Sequence, residues 1–417
     1  MSQKVYREGD WPLHIVKDAN LAIKDEEVFP ICIVSYKRGH NASTIQHLKN
    51  TTAKKYLFIY RDDYENYKKV EEDPEYVNFE IVFVDIPEKG LHYKREFVNN
   101  YMRKKGYDYI FQLDDDIEKT VVGEQVKNTS PNNKRDTVVK LHKIELIEGL
   151  KTTQYSFMAN KDEMNIGVFG CTTFFEITLK DFHYEKEVSS NKLCCNCVLL
   201  NLKLLEEKDI HYNTEVKTWE DLDLCLRCEA KGVGSCINTF LNYKVIDRKK
   251  QKSVVFGELK KEDGRYNENI AIYNIRMYKL WGDILKIVNE DGGLNFNSCL
   301  RKVHNKVKKG EEIIINYDEK ILELCDESNP KAFYDYTNNI IKQNKANIKN
   351  RHFNNIEKFI DDILDNNDFK NKDYLEVESY IKSKCAENKD IPRKYIKAFF
   401  IEENEKINKK INNKINI

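Results

Sequence analysis

The chain reads as an α/β protein built on a mainly parallel sheet, and three observations predict it. Short apolar, β-branched runs recur through the first half of the sequence. Segments of helical periodicity separate them, the pattern of βαβ units. Gly and Pro are scarce, 16 and 7 in 417 residues, which argues against a turn-rich all-β design. In a parallel sheet ligands sit beyond the carboxyl ends of the strands, so those ends are where chemistry is sought.

Taken in order, Phe29–Tyr36 (FPICIVSY), Tyr56–Tyr60, Phe79–Ile86 and Tyr107–Leu113 are the expected strands. Ser43–Asn50, Asp62–Val70 and Leu91–Lys105 are the helices between them. Residues 118–136, polar and ending in a cluster of Asn, Ser and Pro, are expected as a long exposed loop, followed by a helix over 137–158. Strands are expected at 166–169, 193–200 and 237–246, with a helix at 220–230 ended by Gly232. A polar, basic loop over 247–265 and a long helix over 269–288 complete this part. From about residue 310 the sequence is helical and nearly free of Gly. Residues 301–417 carry 24 Lys+Arg against 21 Asp+Glu. The expected division is an extension at 1–27, an α/β domain at 28–300 and a helical module at 301–417.

Hydrophobic residues make up 41% of the chain, enough for a sizeable core, which excludes wholesale disorder. Lys+Arg and Asp+Glu are both 69, so a polycation that coats nucleic acid or membrane is excluded, and such a partner must be met by a local patch. No apolar run reaches the roughly 18–20 residues that span a bilayer, and the charged N-terminus lacks a signal-peptide core. The expectation is a cytoplasmic protein with no membrane partner and with its 11 Cys reduced. Cys194, Cys195, Cys197, Cys225 and Cys228 are read as core thiols in preference to a zinc site.

Three signals carry chemistry. Asp114-Asp115-Asp116 directly follows a strand. Adjacent carboxylates repel, and their burial is costly without a cation; hard divalent ions take oxygen ligands and bridge diphosphates. A solvated turn or helix cap is the competing explanation. Trp219-Glu220-Asp221-Leu222-Asp223 opens a helix about 100 residues later. Its acids either favour the helix dipole or supply a general base. Arg38, Arg61 and Arg95 follow the ends of three successive strands, where Arg suits phosphate contacts, although singly each reads as a surface residue.

The ordered run ICIVSYKRGHNASTIQHL, YRDDYENYKKV and IPEKGLHYKREFVNNYMRKKGYDYIFQLDDDIEK resembles GT-A glycosyltransferases. It is most similar to the phage and base-J-associated DNA glycosyltransferases, also called TET/JBP-associated glycosyltransferases, over about residues 28–250. The resemblance implies that Ser35, Tyr36 and Arg38 line a nucleoside pocket and that Arg61, Gly90 and Arg95 help hold the donor. It implies that Asp114 and Asp116 bracket a metal, Mn²⁺ or Mg²⁺, and the donor ribose or diphosphate, with Asp115 beside them. Asp221, with Glu220 as the alternative, would be the base. The implied donor is a nucleotide-sugar, most often a UDP-sugar. The implied acceptor is a hydroxymethylated pyrimidine in DNA, in the host cytoplasm for a phage-encoded enzyme. Glucose and inversion at the anomeric carbon are the expected sugar and outcome.

The chain departs from the pattern in its third metal ligand. After His211 the only histidines are His304 and His352, so Asp247 takes that place or the ligand is absent. The basic loop 247–265 either closes over a diphosphate or tracks a DNA backbone, and 118–136 is an acceptor-side candidate. His92 and His183 are substrate-contact candidates, a structural role being the main expectation for both. Rival readings are a cytoplasmic glycosyltransferase acting on protein or a polysaccharide precursor, a nucleotidyltransferase, and a non-catalytic DNA-binding protein.

Overall fold

The structure, a computed structural model, describes residues 11–86, 89–127, 137–172, 187–217, 219–245, 268–285, 295–370, 372–388 and 391–415. It divides into two units, one ending at Phe333 and one beginning at Tyr334. The first opens with α1 (Trp11–Ala22) and continues β1 (Ile31–Val34), α2 (Ser43–Leu48), β2 (Lys55–Ile59), α3 (Tyr64–Tyr67), α4 (Lys69–Glu72), β3 (Phe79–Phe83), α5 (Leu91–Lys104) and β4 (Tyr109–Asp114). Next come β5 (Ile117–Lys127), β6 (Thr137–Ile144), α6 (Leu146–Asn160), β7 (Ile166–Thr172), β8 (Val188–Ser190), β9 (Cys197–Asn201), α7 (Leu202–Glu207), α8 (Glu220–Ala230) and β10 (Gly234–Val245). Helices α9 (Glu268–Trp281), α10 (Phe296–Lys308) and α11 (Glu319–Glu323) follow.

The ten strands form one sheet in the order β3-β2-β1-β4-β9-β7-β10-β5-β6, with β8 beside β10. The β3-β2-β1-β4 half is parallel, which is why its strands read as continuous apolar runs: all four residues of β1 and all five of β2 are buried. The other half is mixed, with β10 parallel to β7 and antiparallel to β5. Helices cover both faces. One core holds Trp11, Ile45, Leu57, Leu113, Leu150, Phe157 and Phe240; the other holds Val34, Tyr56, Val98, Leu200, Leu222, Leu226 and Leu300. Layers of this kind on a mostly parallel sheet are the expected α/β class.

The parallel half lies close to its expected positions. The segment after Asp116 differs: residues 117–127 and 137–144 are paired strands, Thr120 opposite Ile144 through to Lys127 opposite Thr137, and helix α6 begins only at Leu146. The ribbon buries little of its outer length, so the short runs Val121-Val122 and Val138-Val139 stand among polar residues and show no alternation. Residues 128–136, the basic loop 247–265, Asp247, His183 and the end of the long helix over 286–288 lie outside the described residues.

Helix α12 (Pro330–Asn366) runs across the boundary between the units. The second unit joins its later turns with α13 (Tyr374–Glu387), α14 (Arg393–Glu402) and α15 (Asn404–Ile415) around Phe353, Ile356, Ile360, Ile381, Cys385, Phe399 and Ile411. Lys410 of α15 reaches both Glu357 at 2.8 Å and Asp361 at 2.6 Å on α12. No helix among the described residues is long and apolar enough to cross a membrane.

Candidate active site

The carboxyl ends of β1 and β4 meet the N-terminal ends of α2, α5 and α8, and this places the sequence-predicted residues. β4 ends at Asp114, and its partner β1 ends opposite it at Val34. The Asp run is then fastened by Thr44 at the start of α2. Thr44 N donates to Asp115 O at 3.2 Å and Thr44 Oγ1 to Asp114 O at 2.7 Å. The same hydroxyl receives Ile117 N at 3.0 Å. Sequence reading gave no role to Thr44, because a threonine in a helix first turn is ordinarily only a cap.

Each carboxylate of the run meets different company. Asp115 accepts a short hydrogen bond from Ser35 Oγ, whose oxygen also lies 2.6 Å from Tyr67 OH. Arg38 Nη1 lies 3.1 Å from Asp115 Oδ1 and 3.2 Å from Asp116 Oδ2. Asp114 Oδ1 accepts from Arg95 Nη2 at 3.0 Å. Burial pushes Asp114 up to about 7, against the pull of Arg95, and pushes Asp115 up to about 6, against Arg38. Burial thus disfavours the ionised form of both carboxyls, and the two arginines only partly offset it.

Arg95 is the hub. It is 1% exposed, and Nη1 donates to Gln112 Oε1 at 3.1 Å. Its Nε stands 3.5 Å from Glu220 Oε1 and its Nη2 3.6 Å from Asp221 Oδ2. Burial opposes its charge, and Asp221, Asp114 and Glu220 outweigh that opposition. The two acidic segments, some hundred residues apart in sequence, thus meet on one guanidinium. Trp219, immediately before them, has φ 73, a left-handed conformation that a large residue adopts only when its surroundings impose it. Its indole donates to Asn274 Oδ1 at 3.1 Å and its ring packs on Phe296, which fixes how α8 begins. Burial, then Asp221, pushes Glu220 up to about 8. Burial also raises Asp221, with Arg95 opposing.

Tyr36 and Tyr60 meet edge to face at 5.4 Å beyond the ends of β1 and β2. Gly90 precedes α5 and donates its N–H to Tyr60 OH at 3.0 Å; a Cβ there would lie 2.3 Å from the His92 ring, so glycine is required by space. Arg61 stands apart from this group: its guanidinium lies over Phe83 and 3.5 Å from Asp85. Lys94, which sequence reading passed over as one charge among many, is buried and donates to Ser35 O at 2.6 Å with its ammonium 4.0 Å from the Tyr60 ring.

Asp116 Oδ1 and Asp221 Oδ1 are buried with no hydrogen-bond partner among the described residues. Among the described residues each is therefore a buried oxygen left open to a ligand. Among the described residues no group of three or more His, Cys, Asp or Glu side chains forms a metal cage. Mg²⁺-type sites use one or two carboxylates and complete the shell with substrate phosphate and water, so Asp114 and Asp116 fit a cation of that kind. Of the five expected core thiols, Cys194, Cys197, Cys225 and Cys228 are buried and Cys195 is only half-buried; burial raises the Cys194 and Cys228 thiols.

The profile of the TET-Associated Glycosyltransferase family matches residues 29–256. Among solved structures, S. aureus TarS 1-349 is similar at 12% identity and a TM-score of 0.35, covering 70% of this chain and 97% of that one. The same protein in complex with UDP-GlcNAc is similar at 10% identity and a TM-score of 0.34, again over 70% and 97%. No curated protein matches the chain.

Proposed function

The chain belongs to the TET-associated glycosyltransferase family, and from that premise we propose that it transfers a hexose, glucose first among them, from a UDP-sugar to the hydroxyl of a hydroxymethylated pyrimidine in DNA. The observation that carries this reading is the convergence of Asp114, Glu220 and Asp221 on Arg95. In this reading the shared guanidinium would bring a phosphate-side acidic group beside a base-side one, as a single displacement needs.

In this reading Ser35, Tyr36 and Arg38 receive the nucleoside side of the donor. Asp114 and Asp116 would hold Mn²⁺ or Mg²⁺, which offsets the charge developing on the leaving diphosphate. Asp221 takes the proton from the acceptor hydroxyl through its unpartnered Oδ1, and the acceptor oxygen attacks the anomeric carbon from the face opposite the diphosphate. Burial makes Asp221 a stronger base than a solvated aspartate. Glu220, raised to about 8, is protonated at neutral pH, which favours Asp221 for this role. Arg95 keeps Asp221 ionised until the proton moves.

The deciding experiment mixes the protein with Mn²⁺ or Mg²⁺, a panel of UDP-sugars and DNA containing 5-hydroxymethylcytosine or 5-hydroxymethyluracil. Digested nucleosides are then weighed by mass spectrometry. A hexose-sized gain, lost with Asp116→Ala, is the expected result. UDP release with other acceptors and no gain on DNA would keep the reaction class and overturn the acceptor.

A further inference from the structure

The ribbon that leaves the Asp run carries charge for which the proposed chemistry has no use. Lys119 of β5 and Lys244 of β10 lie directly opposite each other in the antiparallel register. Val121, two residues on, lies opposite Lys143 of β6. Directly paired residues, and those two apart on a strand, share a face, so Lys119, Lys143 and Lys244 stand on one face. The other face holds Thr120, Val122 and Tyr243, all buried, with Thr120 and Tyr243 against Gly149 of α6. Lys143 is exposed and Lys119 and Lys244 are half-buried. Among the described residues none of the three has an ion-pair partner.

Like charges directly opposite on neighbouring strands destabilise the pair. Here the repulsion is retained in a chain with 69 positive and 69 negative side chains. It sits three residues past Asp116, about 10 Å of strand at about 3.3 Å per residue. The register also shifts at this point, with Glu118 as the extra residue on β5, and such bulges re-aim side chains beside functional sites. Further along the same face Leu141, opposite Gly123, is 44% exposed. A diphosphate concentrates its charge at one point. Lysines on three neighbouring strands, β10, β5 and β6, with an exposed apolar residue beyond them, match successive phosphates of a chain.

We propose that Lys119, Lys143 and Lys244 form the surface that holds the phosphodiester backbone of the acceptor strand. This rests on the reading of DNA as acceptor and adds where the DNA lies: across β10, β5 and β6, beside the Asp run. The backbone charge also relieves the repulsion between Lys119 and Lys244.

The test is the triple variant Lys119→Ala, Lys143→Ala, Lys244→Ala against the unaltered chain. Binding of a fluorescein-labelled duplex carrying 5-hydroxymethylcytosine is followed by anisotropy over a range of salt concentrations, without donor. Each phosphate contact contributes about 0.9 to the slope of log affinity against log salt. The triple variant is expected to lose about 3 from that slope, to bind at least about tenfold more weakly at low salt, and to keep its donor KM. Its melting temperature is expected to stay level or rise, since like-charge repulsion is removed. Equal slopes and affinities in the two proteins would overturn the proposal. So would a raised donor KM with DNA binding intact, which would give the patch to the diphosphate. Sugar transfer to the same duplex is read separately by mass. Transfer with an unaffected triple variant removes the ribbon surface alone, whereas binding lost in the triple variant without any transfer by the unaltered chain keeps the surface and removes the acceptor reading.

Discussion

Arg95 Nη2 lies 3.6 Å from Asp221 Oδ2, and through this contact the helix after β3 holds the first turn of α8 against the end of β4. Because Arg95 also serves Asp114 at 3.0 Å, its removal leaves two acidic segments facing each other in a buried place. Breaking a buried ion pair by deleting one partner costs about 3–5 kcal/mol. Arg95→Met is therefore expected to lower the melting temperature of the first unit by several degrees. Combined with Asp221→Asn it should cost less than the sum of the two single changes, because the neutral amide no longer needs the guanidinium. Additive losses in that cycle would mean the contact is energetically idle.

Asp221 and Glu220 are separable by pH. Asp221→Asn removes the proposed base, and kcat should fall by about 10² to 10⁴ with the donor dissociation constant unchanged. Glu220, pushed up to about 8, is already neutral at pH 7, and Gln resembles that neutral form. Glu220→Gln is expected to keep most of its turnover at pH 7 and to diverge from the unaltered chain only above about pH 8, where Glu220 would ionise. A kcat–pH profile for each variant checks this, and collapse of Glu220→Gln at pH 7 would exchange the two roles.

The parallel half was legible because full burial on both faces forces unbroken apolar runs, and Asp114–Asp116 was legible because three adjacent acids after a strand are costly without a purpose. Arg95 was visible as a basic residue after a strand, but not as the shared partner of both acidic segments: that depends on Glu220 and Asp221, brought to it by tertiary packing. Thr44 and Lys94 were illegible for the same reason, since each acts on backbone groups of distant segments. β5 was misread as a loop and β6 as the start of a helix because a polar residue, Thr120, stands on the buried face while Val121 stands on the other, which weakens the alternation in sequence.

On the proposed cation, Asp116 and Arg38 would act with opposite sign. Asp116→Asn takes away a carboxylate whose Oδ1 is buried and unpartnered, so Mn²⁺ bound in the presence of UDP should weaken at least about tenfold, read by electron paramagnetic resonance. Arg38 places positive charge 3.1 Å from Asp115 and 3.2 Å from Asp116, where it repels a cation. Arg38→Gln should tighten Mn²⁺ binding without donor while weakening donor binding. Unchanged Mn²⁺ affinity in both variants would place the cation elsewhere.

Lys94 gives the pH dependence with the clearest sign. It is 3% exposed, and burial lowers its pKa to about 7, against the pull of Asp115 and Asp63 and alongside Lys89. Below pH 7 the folded and unfolded chains both carry its proton and the group adds no pH dependence. Between pH 7 and about 10 the unfolded chain keeps a proton that the folded chain has released, so stability rises with pH, by up to about 1.4 kcal/mol per unit from this group. Lys94→Met should lack that rise, and chemical denaturation of both proteins at pH 6, 8 and 9.5 reads the difference directly. The same variant leaves Ser35 O without its buried donor, a loss of the order of 1–3 kcal/mol. Donor KM should rise about tenfold or more as the end of β1 loosens, with kcat at saturation little changed. Parallel stability curves together with an unchanged KM would reduce Lys94 to a packing residue.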